Sequence, residues 1–221
     1  VGSYTGNGSA SGPMVQTGFQ PAFVMIKASS AAGSWNIVDD KRDTTNPATK
    51  RLFANLANAE GTGINVLDFY ANGFQIKNND AGFNSNGVTY IYLAFAADGS
   101  TATPSLANSF ATELYTGNGG TQSVTTGFKP DFTWVKARNV AYDHGLVDSV
   151  RGTTSLLYPD LAQAASTGVT NAMQSFDSNG FTWGSNNKGN ASGTNYVSWN
   201  LKAGGTPSIN TDGTITSIVS A

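Results

Sequence analysis

The chain writes itself twice. Tyr4-Thr-Gly-Asn-Gly8 returns as Tyr115-Thr-Gly-Asn-Gly119, and Gly18-Phe19-Gln20-Pro21 returns as Gly127-Phe128-Lys129-Pro130. Phe23 to Ala28 matches Phe132 to Ala137, Val38-Asp39 with Arg42 matches Val147-Asp148 with Arg151, and Asn72-Gly73-Phe74 matches Asn179-Gly180-Phe181. The offset narrows from 111 (Tyr4 to Tyr115) to 106 (Tyr90 to Tyr196), so the length differences fall between matched blocks, where loops belong. An internal repeat of roughly a hundred residues constrains the fold more than any local pattern does, because each copy must bury a core of the same design.

The 221 residues therefore divide into two modules, residues 1–108 and 109–205, followed by an extended arm or linker over 206–221. Only 12% of the residues are charged, against roughly 25% in ordinary soluble domains, and the net charge is −2. No Lys/Arg cluster exists to meet phosphates, which argues against nucleic-acid binding. There is no cysteine, and no run of 18 apolar residues, so neither disulfides nor a membrane-inserted helix is expected. Because the sequence starts at Val1, it reads as a piece of something longer.

Along each copy, short apolar runs alternate with Gly, Asn and Pro turns. Phe23, Met25 and Lys27 would lie on one side of a strand, with Val24, Ile26 and Ala28 on the other. Trp35 to Val38 should pair with that strand, Ile64–Tyr70 and Phe74–Lys77 should form a hairpin around Asn72-Gly73, and Thr89–Ala96 reads as a central strand. Lys50–Glu60 is the one place where a helical turn could form, since Leu52, Phe53 and Leu56 fall at i, i+1 and i+4, but the stretch is too short for the pattern to decide it. The fold class is all-β: two tandem antiparallel β-sandwich-like modules, lectin- or jelly-roll-like, from an internal duplication, plus the C-terminal arm. That arm alternates with nothing after it to pair with, so it should add to a sheet edge.

Chemistry is sparse. The single histidine, His144, aligns with Trp35 of the first copy, and a position shared by His and Trp reads as packing rather than proton transfer. Asp39 with Arg42, and Asp148 with Arg151, share i, i+3 spacing and read as structural ion pairs. The Gly-Asn-Gly segments lack the Lys-Ser/Thr of a phosphate loop and read as turns. Asp80, Asp98, Asp177 and Asp212 sit in turn-like contexts without the spacing of a calcium loop, so no metal and no cofactor is expected. Flat side chains with a polar edge remain: Trp35, Tyr142, His144 and Trp183 are the candidate glycan-binding residues, while Trp134 and Trp199 fall inside expected core strands.

The ordered blocks Tyr-Thr-Gly-Asn-Gly, Gly-Phe-x-Pro-x-Phe-x-x-(Ile/Val)-Lys, Val-Asp-x-x-Arg, Asn-Gly-Phe and Tyr-(Ile/Val)-x-(Leu/Trp) resemble tandem modules of tailed-bacteriophage virion proteins. Such proteins are abundant in phages of marine bacteria and are usually called tail fibre or structural proteins of unknown function. The resemblance spans nearly the whole chain. It implies a non-enzymatic element of a virion appendage, partnered by other virion proteins or by copies of itself, a homotrimer for example, and touching a host surface glycan. The alternatives are a stand-alone carbohydrate-binding module, a capsid-surface decoration protein, or a tailspike depolymerase fragment with paired carboxylates.

Overall fold

A computed structural model describes residues 1–96, 109–203, 208–210 and 217–219. Every regular element among them is a strand. The first copy contains β1 (Gly2–Thr5), β2 (Met14–Gln16), β3 (Pro21–Ala28), β4 (Asn36–Asp39), β5 (Leu52–Phe53), β6 (Leu67–Tyr70), β7 (Gly73–Ile76) and β8 (Thr89–Ala96). The second contains β9 (Phe110–Thr116), β10 (Gln122–Thr125), β11 (Phe132–Ala137), β12 (Gly145–Asp148), β13 (Met173–Asp177), β14 (Gly180–Trp183) and β15 (Asn195–Leu201). In the first copy a five-stranded antiparallel sheet, β1-β8-β3-β4-β5, covers a three-stranded sheet, β2-β7-β6. The second repeats this with β12-β11-β15-β9 over β10-β14-β13. Its counterpart of β5 is reduced to isolated bridges from Leu157 to Leu146 and from Leu156 to Ser166.

Each copy is a sandwich because its strands offer one apolar row to the partner sheet. In the first, Val24, Ile26, Val38 and Tyr90 of the large sheet meet Val15, Phe69, Phe74 and Ile76 of the small one. In the second, Val135, Ala137, Val147 and Tyr196 meet Val124, Met173, Phe181 and Trp183. The other face of each large sheet is apolar as well. Phe23, Ile37, Leu52 and Ala54 pack with Val197 and Trp199, joined by Met25, Trp35, Phe95, Phe110 and Trp134, in a third core that belongs to both copies. The two large sheets thus lie face to face and form the middle layers of a four-layer molecule. This explains why all four residues of β4 are buried and why β3 shows no polar alternation.

The two copies use equivalent faces for this contact. Met25 and Trp134, which occupy matching positions on β3 and β11, share one cavity at the seam. His144 of the second copy meets the Leu56 carbonyl of the first. Trp35, which stands in the place of His144 in the first copy, shares that cavity with Pro159 of the second. The arrangement is close to reciprocal, as in an isologous dimer.

Lys50–Glu60 contains no helix. Leu52 and Phe53 form β5 against β4, Arg51 bridges to Gly61, and the rest runs across the second copy. The arm departs from expectation too. Its described strands, β16 (Ser208–Asn210) and β17 (Ser217–Val219), pair with each other as a separate two-stranded sheet. Residues 98–108, the end of the first module, which contains Pro104 and reads in the sequence as the linker between copies, lie outside the described residues.

Candidate functional site

Most of the repeated motif residues are spent on building the fold. Asn84 is fully buried, and its Oδ1 accepts the Asn7 amide at 2.8 Å. Its Nδ2 donates to Asn7 Oδ1 and to the carbonyls of Ser9 and Asn78 at 2.8–2.9 Å. The second copy reproduces the clasp with Asn190, which accepts the Asn118 amide at 2.7 Å and donates to Asn118 Oδ1, Gly120 O and Gly184 O. The glycine before each asparagine is required by proximity: a Cβ on Gly6 would stand 2.2 Å from Ser85 O, and one on Gly117 2.3 Å from Ala191 O. The tyrosine opening each motif stacks on a partner ring, Tyr4 on Tyr90 at 5.1 Å and Tyr115 on Tyr196 at 5.4 Å.

The paired Asp-x-x-Arg motifs are ion pairs that also cap a turn. Asp39 accepts the Arg42 amide at 2.9 Å and its Nε at 2.7 Å; Asp148 accepts the same two groups of Arg151 at 2.8 and 2.6 Å. Their surroundings differ. Both side chains of the first pair are wholly buried at the seam, whereas those of the second remain partly exposed. Trp199 Nε1 donates to Asp39 Oδ2 at 3.1 Å, and the Arg42 guanidinium stands 5.8 Å from the centre of the Trp199 ring. Glu60 then takes Arg42 on one side and Arg138 of the second copy on the other, at 3.0–3.1 Å. One continuous polar network therefore ties the copies together inside an apolar contact.

Lys136 completes the seam. Its Nζ is buried and donates to the carbonyls of Ala57, Ala137 and Tyr142 at 2.9–3.0 Å, one acceptor for each ammonium proton. Without a carboxylate in contact, burial lowers its pKa from the ordinary value to about 8.

The four candidate glycan-binding residues fare unequally. Trp183 is fully buried in the second sandwich, with Nε1 donating to Asn186 O at 3.2 Å, so it offers no face to a ligand. His144 is buried too. Its Nδ1 accepts from Trp134 Nε1 at 2.8 Å, which leaves Nε2–H to donate to Leu56 O at 3.0 Å. That tautomer is the neutral ring, and burial pushes its pKa down to about 4. The burial of His144 agrees with the packing reading that its alignment with Trp35 gave, the cover coming from the first copy; Trp183, a surface candidate because it stands near a hairpin end, is instead enclosed within the second sandwich. Tyr142 is half-buried against the second core. Trp35 alone stands at an open cleft. The cleft measures about 240 Å³ and is lined by Met25, Trp35, Ala54, Asn55, Trp134 and Pro159. The sequence reading sets Trp134 aside as a core-strand residue and does not single out Asn55. The signal that could have found Trp134 was the apolar character of both faces of its strand, which implies a second covered face.

A second cleft of about 260 Å³ is polar and includes Gln20, Asp40, Asp43 and Asn46. Burial, with the Asp39 charge adding to it, raises Asp40 to about 6. Asp43 is held by the amides of Thr49 and Lys50 and by the Lys50 ammonium. Among the described residues, no group of three or more His, Cys, Asp or Glu side chains comes together as a metal-binding set.

Fold and seam define a class: paired antiparallel β-sandwiches from one duplicated sequence, fused through their large sheets. The chain belongs to the family described as "Domain of unknown function (DUF7483)", whose pattern matches residues 1–98 and 105–221. No curated protein and no solved structure matches it.

Proposed function

We propose that this protein is a non-enzymatic structural part of a bacteriophage tail fibre or comparable virion appendage, located on the extracellular particle and contributing to adhesion to the host surface. The observation that carries the reading is the seam. Two sandwiches joined by an apolar core and a buried Trp199–Asp39–Arg42–Glu60–Arg138 network make a stiff block, which suits a load-bearing appendage. The motif resemblance to phage virion proteins supplies the particle. The carboxylates best placed to act as acid and base are engaged elsewhere: Asp39, Asp148 and Glu60 by arginines, Asp177 by the hydroxyls of Ser175 and Thr182. Asp40, in the polar cleft with its carboxyl raised by burial, is the candidate acid for a depolymerase, so loss of glycan cleavage in Asp40→Asn would favour that reading.

The test is immunogold electron microscopy of purified particles from a host carrying this gene, with antibody against the 221-residue protein. Label on the tail or its fibres is expected. Label on the shell would favour a capsid decoration protein, and particles free of the protein would end the virion reading. Light scattering of the chain with and without Ser208–Ala221 addresses assembly: a trimer that reverts to a monomer on trimming would assign the arm to contacts between copies. A stand-alone carbohydrate-binding module is the second reading, favoured by the Trp35–Trp134 cleft.

A further inference from the structure

Packing the two copies creates a surface that neither has alone. The seam cleft takes Met25, Trp35, Ala54 and Asn55 from the first copy, and Trp134 and Pro159 from the second. Both indoles are partly exposed. The polar edge of Trp134 is turned inward, its Nε1 held by His144, and its ring stands at 72° to the buried Trp199 with centroids 5.3 Å apart. The indole plane is thereby fixed, with its apolar surface left to line the cleft. Asn55 Oδ1 accepts the Trp35 amide at 2.9 Å, while its Nδ2 has no hydrogen-bond partner among the described residues. No ionisable side chain lines the cleft.

We infer that this cleft binds one neutral pyranose residue of a surface glycan, with Trp35 and Trp134 as stacking faces and Asn55 Nδ2 as the donor to a sugar hydroxyl. Deepening the adhesion reading, the inference rests on that reading for its biological setting. The chemistry of the lining selects the occupant. A pyranose has an apolar C–H face that covers an indole, and its hydroxyls need at least one oriented polar group, which the free amide supplies. A charged sugar would enter without a counter-ion and lose hydration uncompensated. The volume lies just below the roughly 300–1,000 Å³ of small-molecule sites, which fits a single ring rather than an extended oligosaccharide. His144 is a positioning residue here. It touches no sugar and acts by holding Trp134.

The experiment uses the whole 221-residue protein. Methyl glycosides of glucose, galactose and mannose, with methyl glucuronide as the charged comparator, are titrated at roughly millimolar concentration. Binding is read by saturation-transfer NMR and intrinsic tryptophan fluorescence. At least one neutral glycoside should bind. Trp35→Ala should weaken it by about tenfold, and Asn55→Asp, which keeps the acceptor for the Trp35 amide but removes the donor, by several-fold. His144→Gln retains an acceptor for Trp134 and should bind nearly as the parent does, whereas His144→Phe should bind more weakly while its melting curve verifies folding. Binding unchanged in both Trp35→Ala and Asn55→Asp, a preference for the glucuronide, or no binding to the folded parent would each overturn the site. These results are independent of the microscopy. Labelled fibres with no glycoside binding would remove the cleft and leave the appendage, and cleft binding by a protein absent from particles would do the reverse.

Discussion

Asn84 and Asn190 make the same four side-chain hydrogen bonds in the two copies, from positions with no solvent to replace any of them. Asn84→Ala would orphan the Asn7 amide and several carbonyls, and a loss of about 2–4 kcal/mol is expected in urea unfolding, with Asn190→Ala matching it. A loss under about 1 kcal/mol in both would mean that water takes over the clasp. The residue scale also sets the pH response. His144 has its folded pKa depressed from 6.5 to about 4, so the unfolded chain binds the proton first; the stability this contributes is present above pH 6.5 and is lost as pH falls toward 4. Asp40 works in the opposite sense. Its folded pKa is raised from 3.8 to about 6, so its contribution is present below pH 3.8 and is lost as pH rises through 6. Between pH 4 and 6 the two slopes oppose each other. Thermal melts should therefore change less across this interval in the parent than in either variant. His144→Gln should melt higher as pH falls, Asp40→Asn lower, and identical profiles in all three would remove both groups from the account.

At the scale of elements, the strands were legible and their second faces were not. Phe23–Ala28, Thr89–Ala96 and the Asn72-Gly73 hairpin appear where alternation and turn residues placed them, because those signals are local. Lys50–Glu60 could not be decided locally. Leu52 enters the shared core, the Leu56 carbonyl answers His144 and Ala57 answers Lys136, partners 79 to 88 positions away. No short-range periodicity encodes such contacts. The same blindness misplaced Trp183 and let His144, rightly read as a packing residue, stand among the glycan candidates, since the covers of both are supplied by other segments. What the sequence did carry was the mixed apolar pattern of β3 and β11, apolar on both sides, which only the packed pair of sheets interprets. Lys136 fastens the crossing segment, so Lys136→Met should leave three carbonyls without a donor and cost about 2–3 kcal/mol. Hydrogen exchange should accelerate over residues 53–60; unchanged protection there would mean that the segment is held by its apolar contacts alone.

For the whole molecule, the shared core and the buried ion network predict one cooperative unit despite two sandwiches. Calorimetry should record a single transition, and Glu60→Ala, which leaves Arg138 without its carboxylate and Arg42 with Asp39 alone, should lower stability by about 1–3 kcal/mol and separate the melting of the two halves. Two transitions in the parent protein would contradict the unit. The near-reciprocal seam bears on arithmetic. Each copy covers the apolar face of the other and, among the described residues, no equivalent face is left over, so this contact satisfies copies in twos and closes on itself. A string of such modules would be counted in pairs along its length. An odd copy would leave a face like that of Phe23, Ile37 and Leu52 bare, to be covered only by the odd copy of a neighbouring chain. The parity of the repeat number, rather than its size, would then decide whether such a chain stands alone or crosslinks.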